Sequence, residues 1–159
     1  MTRTVEDARV LAVAAHRDQV DKAGRPYIEH VRSVAELLAP HGDIAVMAGW
    51  LHDVVEDTPI TLYRLVEMGF PPEVVAAVDS VTRREGEPYD DLIRRAAADS
   101  IGRLVKLADN ATNSDESRLA LLDDATAARL RRKYALAREV LEMLAPVSPV
   151  ECLKEDRDG

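Results

Sequence analysis

Residues 43–59 read Asp43-Ile44-Ala45-Val46-Met47-Ala48-Gly49-Trp50-Leu51-His52-Asp53-Val54-Val55-Glu56-Asp57-Thr58-Pro59. Ile44, Met47, Ala48, Leu51 and Val55 recur at three and four residues, the period of one helix face. Asp43 offers an N-cap carboxylate, and Thr58-Pro59 offers a stop, with Thr58 able to cap and Pro59 able to open a further short helix. The spacing predicts one helix that starts after Asp43 and runs to Thr58-Pro59.

The same period continues on both sides. Val5, Ala8, Ala12, Ala15 and Gln19 mark a first helix, which ends before the Gly24 and Pro26 of a loop. Val31, Val34, Ala35 and Leu38 mark a second over about 28–38, closed by Pro40-His41-Gly42. Further helices are predicted over about 72–82, 89–98, 100–113 and 124–144, separated by Gly69, by Pro71-Pro72 and by a polar loop at 83–88. No stretch alternates with period two, so the expected fold is all-α, a compact single-domain helical bundle. Residues 1–145 are expected to form that domain, and 146–159, with two prolines and many charges, a flexible C-terminal tail.

A chain of 159 residues is long enough to bury a core without staples. The net charge of −8 argues against a nucleic-acid footprint, though not against a small phosphate ligand met by a few local cations. No apolar run approaches the roughly 20 residues a membrane span needs, and the N-terminus carries no signal-peptide core. Cys152 is the single cysteine and cannot form an internal disulfide. The expectation is a cytoplasmic protein without membrane or nucleic-acid partners; its oligomeric state is left open.

Chemistry concentrates in three places. His52, Asp53, Glu56 and Asp57 place one histidine and three carboxylates within six residues, two pairs one helical turn apart. Such a group repels itself unless a cation lies nearby, and it is embedded among Trp50, Leu51, Val54 and Val55, where charge is costly. Lys106, Asp109 and Asn113 share one helix face, and Gly102 on the same stripe leaves room for a close neighbour or a ligand. His30 falls in the first turn of the second helix. One histidine, a His-Asp pair and a later aspartate supply two nitrogens and two carboxylate oxygens, a donor set suited to Mn2+, Fe2+ or Zn2+. Glu56 or Asp57 is placed to orient a water and carry its proton. Lys106 is the cation best placed to meet a phosphate. His16 reads as a packed histidine, His41 as a surface residue, and the Arg129, Arg131, Arg132, Lys133 run as a solvated face.

The order His, His-Asp, Asp resembles the signature of the HD phosphohydrolases. The strings AHRDQVDKAGRPYIEH (15–30), LHDVVEDTPIT (51–61) and VKLADNATN (105–113) are similar to the hydrolase domain of the RelA/SpoT homologues and of the stand-alone small alarmone hydrolases, over roughly residues 8–135. The resemblance implies a helical bundle holding one Mn2+ and removing the 3′-pyrophosphate of (p)ppGpp. It implies His30, His52, Asp53 and Asp109 as metal ligands, Glu56 and Asp57 as the pair that handles the attacking water, Asn113 as a contact to the sugar and phosphate, and Lys22 as a cation near the base. One position departs: the residue before Lys22 is the acid Asp21, where the family carries a second cation. That keeps two other readings open, a phosphatase for a nucleoside monophosphate or NADPH, and a catalytically silent module that binds a nucleotide.

Overall fold

The computed structural model describes residues 2–145; the expected tail and Cys152 lie outside the described residues. The chain is all-helical, as its periodicity implies, and an isolated bridge between Val20 and Pro26 is the extended pairing among the described residues. None of these helices is long and apolar enough to cross a membrane.

Helix α1, Val5–Ala15, opens on a capping box in which Thr4 and Asp7 satisfy each other's backbone N–H groups. It stops earlier than the stripe suggested. His16 ends it, and Gln19 lies in a loop whose carbonyl accepts from the Tyr27 amide at 2.9 Å. Helix α2 spans Ile28–Leu37 and is followed by a 3-10 turn, Ala39–His41, that leaves His41 exposed. Helix α3, Asp43–Leu51, has Gly42 rather than Asp43 at its cap, at φ 92°, a left-handed conformation that favours glycine.

The predicted single helix from 44 to 57 is two. After α3 the backbone turns at His52 and Asp53, and α4 resumes over Val54–Asp57. Thr58 is extended, and the next cap is Thr61, which accepts from the Arg64 amide and starts α5, Leu62–Glu67. The remaining helices are α6 (Pro72–Val81), α7 (Tyr89–Ala98), α8 (Ser100–Asn113), α9 (Glu116–Leu119) and α10 (Asp124–Met143). Asp99, Asp115 and Asp123 cap the last three.

Helix α3 is the axis of the molecule. Ala45, Met47, Ala48, Gly49, Trp50 and Leu51 are all buried, so it is enclosed on every side rather than along one stripe. It packs against α1, α2, α6 and α8, while α10 lies across α7 and α8. Two glycines let the helices that carry the site approach closely. A Cβ on Gly49 would stand 2.6 Å from Leu38 Cδ1 and 3.2 Å from the Ala35 backbone, which seats α2 on α3. A Cβ on Gly102 would stand 1.9 Å from Ser80 Oγ, so the room expected there is taken by α6.

Candidate metal centre and substrate cleft

Three helices deliver the donor atoms. α2 carries His30 in its first turn, the break after α3 carries His52 and Asp53, and α8 carries Asp109. The break is what makes His52 and Asp53 usable together: adjacent residues on a continuous helix point about 100° apart, whereas the turn brings His52 Nε2 to 2.9 Å from Asp53 Oδ2. His30 Nε2 lies 3.0 Å from Asp109 Oδ1, and one ligand atom from each of the four residues falls within 4.8 Å of all the others. Both histidines are 2% exposed and Asp109 is 6% exposed, while Asp53 is only partly buried, so the cluster opens to its surroundings on the Asp53 side.

The residues fit a divalent cation. His52 Nδ1 lies 2.7 Å from the Gly49 carbonyl oxygen. A carbonyl can only accept, so Nδ1 carries the proton and Nε2 keeps its lone pair, the arrangement of a metal-ligating histidine. The buried Nε2 atoms of His30 and His52 find no hydrogen-bond partner, although carboxylate oxygens stand about as close as hydrogen-bond distance. Lone pairs facing one another in a buried site call for a positive charge between them. Burial opposes charge on the His52 ring, yet Asp53 and Asp109 outweigh it and hold its pKa well above the ordinary histidine range, so Nε2 binds a proton wherever no metal ion takes its lone pair.

The surrounding groups hold the ligands in place. The Tyr27 hydroxyl donates to Asp53 Oδ2. Asp109 accepts from Lys106 Nζ at 2.9 Å and from Asn113 Nδ2 at 3.1 Å, so the three residues read as one face act on one another. Burial pushes the Asp109 pKa up, but Lys106 and the two histidines overcome it and keep Asp109 well below the carboxylate range. Lys106 is itself buried and its ammonium is committed to Asp109, rather than free for a phosphate.

Glu56 and Asp57 stand one turn along and face different spaces. Glu56 Oε1 accepts from the Arg83 amide at 2.7 Å, and Glu56 lines a polar cavity of about 180 Å³ together with Asp53, Asp109, Tyr89 and Lys133. Asp57 Oδ2 accepts from Gln19 Nε2 at 3.1 Å, and Gln19 Oε1 meets His16 Nδ1 at 2.7 Å. His16 is therefore a packed, hydrogen-bonded histidine whose bonding reaches Asp57. Burial raises the pKa of both carboxyl groups, and the Asp53 charge adds to it.

Asp57 lines a second, larger cleft of about 330 Å³, with Lys22 at its rim and Leu119, Leu122 and Leu130 along one wall. Tyr27, Asn113 and Tyr134 border both spaces, so the cleft and the polar cavity adjoin. Asp21 does not offer a free negative charge to this cleft. Its Oδ1 accepts from the Ala23 and Arg25 amides at 2.8 and 3.0 Å, and its Oδ2 lies 3.4 Å from an Arg118 guanidinium nitrogen.

Comparison with known proteins now bears on this geometry. The family model described as HD domain matches residues 8–152. The chain belongs to the HD-domain family. Curated relatives of this HD domain include a probable GTP pyrophosphokinase of Mycobacterium leprae, 37% identical over 155 residues, and a guanosine-3′,5′-bis(diphosphate) 3′-pyrophosphohydrolase of Haemophilus influenzae, 36% identical over 152 residues. The matches cover 91% and 87% of this chain but 19% and 21% of those proteins, so the chain spans about a fifth of their length. A solved structure described as "A metazoan ortholog of SpoT hydrolyzes ppGpp and plays a role in starvation responses" superposes with a TM-score of 0.68 and 25% identity, over 96% of this HD domain and 91% of that chain.

Several contributors escape sequence reasoning. Tyr27, Gln19, Tyr89 and Arg118 carry no ligand-like signal, and Tyr134 reads as part of an apolar stripe. Tyr27 alone had a usable cue, since it lies three residues before His30 and shares its face. Of the surface cations, Arg95 proves structural: it holds Glu87 at 2.7 Å and the Asp79 and Thr82 carbonyls, closing the 83–88 loop.

Proposed function

We propose that this HD domain is a metal-dependent hydrolase that removes the 3′-pyrophosphate of (p)ppGpp-like nucleotides, with Mn2+ held by His30, His52, Asp53 and Asp109. The convergence of two orphaned histidine Nε2 atoms with the buried Asp109 and the partly buried Asp53, beside the unequal placement of Glu56 and Asp57, carries the reading. The likeness to a solved structure described as hydrolysing ppGpp, over nearly the whole of both chains, supports the substrate class.

The reaction adds water across the bond between the ribose 3′-oxygen and phosphorus: hydroxide joins phosphorus, and the proton ends on the departing 3′-oxygen. A divalent ion held by His30, His52, Asp53 and Asp109 would supply Lewis-acid polarisation of a phosphoryl oxygen and would make a water easier to deprotonate. Glu56, in the polar cavity, is the group to take the water's proton, since Oε1 is occupied by the Arg83 amide and Oε2 remains. Burial raises its pKa above the ordinary carboxylate range, which makes it a stronger proton acceptor than an exposed carboxylate. Asp57, steered by Gln19, faces the cleft and serves the proton's delivery to the 3′-oxygen. Asn113, which borders both spaces, meets the sugar between them. The nucleoside occupies the larger cleft, its base against the leucine wall with Lys22 at the rim.

Asp21 favours one other reading, a phosphatase for a different nucleotide, because the base-side loop is tied down by Asp21 and Arg118 rather than presenting two adjacent cations. Product analysis separates the two. The protein with Mn2+ is given ppGpp, pppGpp, ppApp, NADPH and nucleoside monophosphates in turn, and products are resolved by anion exchange. GDP plus pyrophosphate from ppGpp is the expected result; orthophosphate from another nucleotide, with ppGpp untouched, overturns the substrate.

A further inference from the structure

Helix α10 presents Arg129, Arg131, Arg132 and Lys133 in series, which the sequence reads as a solvated face. Three of them are exposed, and Arg131 is paired with Glu116 at 2.7 Å. Lys133 is half-buried instead, with Nζ 4.2 Å from the centroid of the Tyr89 ring and 5.6 Å from that of Tyr134. Among the described residues no carboxylate lies within ion-pair distance of it, whereas Lys106 nearby is bonded to Asp109. Burial lowers the Lys133 pKa, and Lys106, Arg129, Arg83 and Lys22, all positive, lower it further.

An ammonium placed among like charges and partly withdrawn from water is unfavourable, and two aromatic faces offset only part of that. The balance changes once an anion arrives. The polar cavity that Lys133 lines is also lined by Asp53, Glu56 and Asp109, the acidic side, and by Arg83 and Lys106. It is too small for a nucleoside and contains little apolar wall, but its size and charge suit a phosphoryl or pyrophosphoryl group.

We infer that Lys133 is an anion-binding residue for the pyrophosphoryl part of the substrate, the part released as free pyrophosphate. This rests on the hydrolase reading above for its substrate, and on the cation cluster for its location. Lys133 grips the group away from the ribose while Glu56 and Asp57 work at the scissile bond, so its loss weakens substrate and product binding more than it slows the chemical step. The remaining cations of the run, pointing to solvent, take no part.

The test is titration calorimetry of the full chain loaded with Mn2+, with inorganic pyrophosphate as the probe, on the wild type, Lys133→Met, Lys133→Gln and Lys133→Arg. Met preserves the alkyl stem over Tyr89 and Gln guards against a folding artefact of Met. Both neutral variants are expected to bind pyrophosphate about 10- to 100-fold more weakly, the loss of one charge-assisted hydrogen bond. Lys133→Arg should recover most of the affinity, and metal content should not change. Equal affinity in wild type and neutral variants overturns the inference, and so does a lowered melting temperature with unchanged affinity, which would make Lys133 a brace between two tyrosines. If pyrophosphate binding depends on Lys133 but no 3′-pyrophosphorylated nucleotide is cleaved, the hydrolase reading fails and the anion site stands. If ppGpp is cleaved and neutral variants bind pyrophosphate normally, the reverse holds.

Discussion

His30 and Asp109 stand on helices, and His52 at the end of one, that share the large core, with Val31, Val34, Leu51 and Val105 fully buried around them. Asp21, Arg118 and Leu122 stand on a loop, a four-residue helix and a turn, backed by a separate small cluster of Leu119, Ala127 and Leu130. The first region can hold donor atoms to a fraction of an ångström, because moving one means moving a packed helix. The second has few buried neighbours and belongs to the part of the molecule that opens at low cost. On the proposed reading, chemistry is placed where the fold is stiff, and discrimination where it can vary without disturbing the chemistry.

The largest test of this contrast is at the stiff end. Asp109→Ala removes a ligand and leaves Lys106 buried without its partner. Turnover should fall by at least about 10³-fold, with loss of bound metal by elemental analysis, since outer partners alone cost roughly 10–100-fold and a ligand costs more. His52→Ala and Asp53→Ala should behave alike, and full turnover in both would remove the metal assignment. Next, Glu56→Gln should lower kcat by about 10²- to 10⁴-fold while metal content and KM hold, the range for a lost general acid or base. If Asp57→Asn proves the more damaging and Glu56→Gln mild, the roles given to the two cavities are exchanged.

Stripping the metal should lower the melting temperature by several degrees, recovered on adding Mn2+. A ligand at 100 times its Kd adds about 2.7 kcal/mol, and each kcal/mol is worth roughly 2–4 °C in a domain of this size. The smallest effect is expected at the outer end. Leu119→Ala, in the small cluster, should raise KM several-fold and leave kcat within about twofold, because it loosens the cleft wall without reaching the ligands. A kcat that falls with it would show that the two regions are one mechanical unit.

Most of the fold was legible because helix ends announce themselves chemically. Pro72 at a first turn is a start signal that holds in the structure, whereas the caps at Asp99, Asp115 and Asp123 come from the structure, the one at Asp115 opening a helix too short to show periodicity. The break at His52-Asp53 was not legible, since Leu51 and Val55 keep helical spacing through it and no glycine or proline marks it. At the break one contact is tertiary, the Tyr27 hydroxyl on Asp53, and one is local, His52 turned back to the Gly49 carbonyl. The ligand types were readable from composition and order, and the structure brings those four residues together. Lys133 was obscured by the run around it, although it lies three residues after Leu130 and four before Ala137, on the buried face of α10. Asp21 was readable as an acid but not as a paired one, since Arg118 lies 97 positions away in sequence and meets it only through the fold.

Gly49 has a consequence for anyone who would transplant this centre. Its carbonyl fixes which nitrogen of His52 is free, and its missing side chain lets α2, with His30, come close. One residue outside the donor set thus bears on both histidines, through a backbone oxygen that any residue would supply and a missing side chain that only glycine gives. A helical bundle engineered to carry the four donors at the right spacing, but with alanine at the equivalent of Gly49, would have to move Leu38 and ease α2 back at Ala35, the helix that carries His30. The portable unit is five positions, and the fifth is the one that a search for ligands never returns.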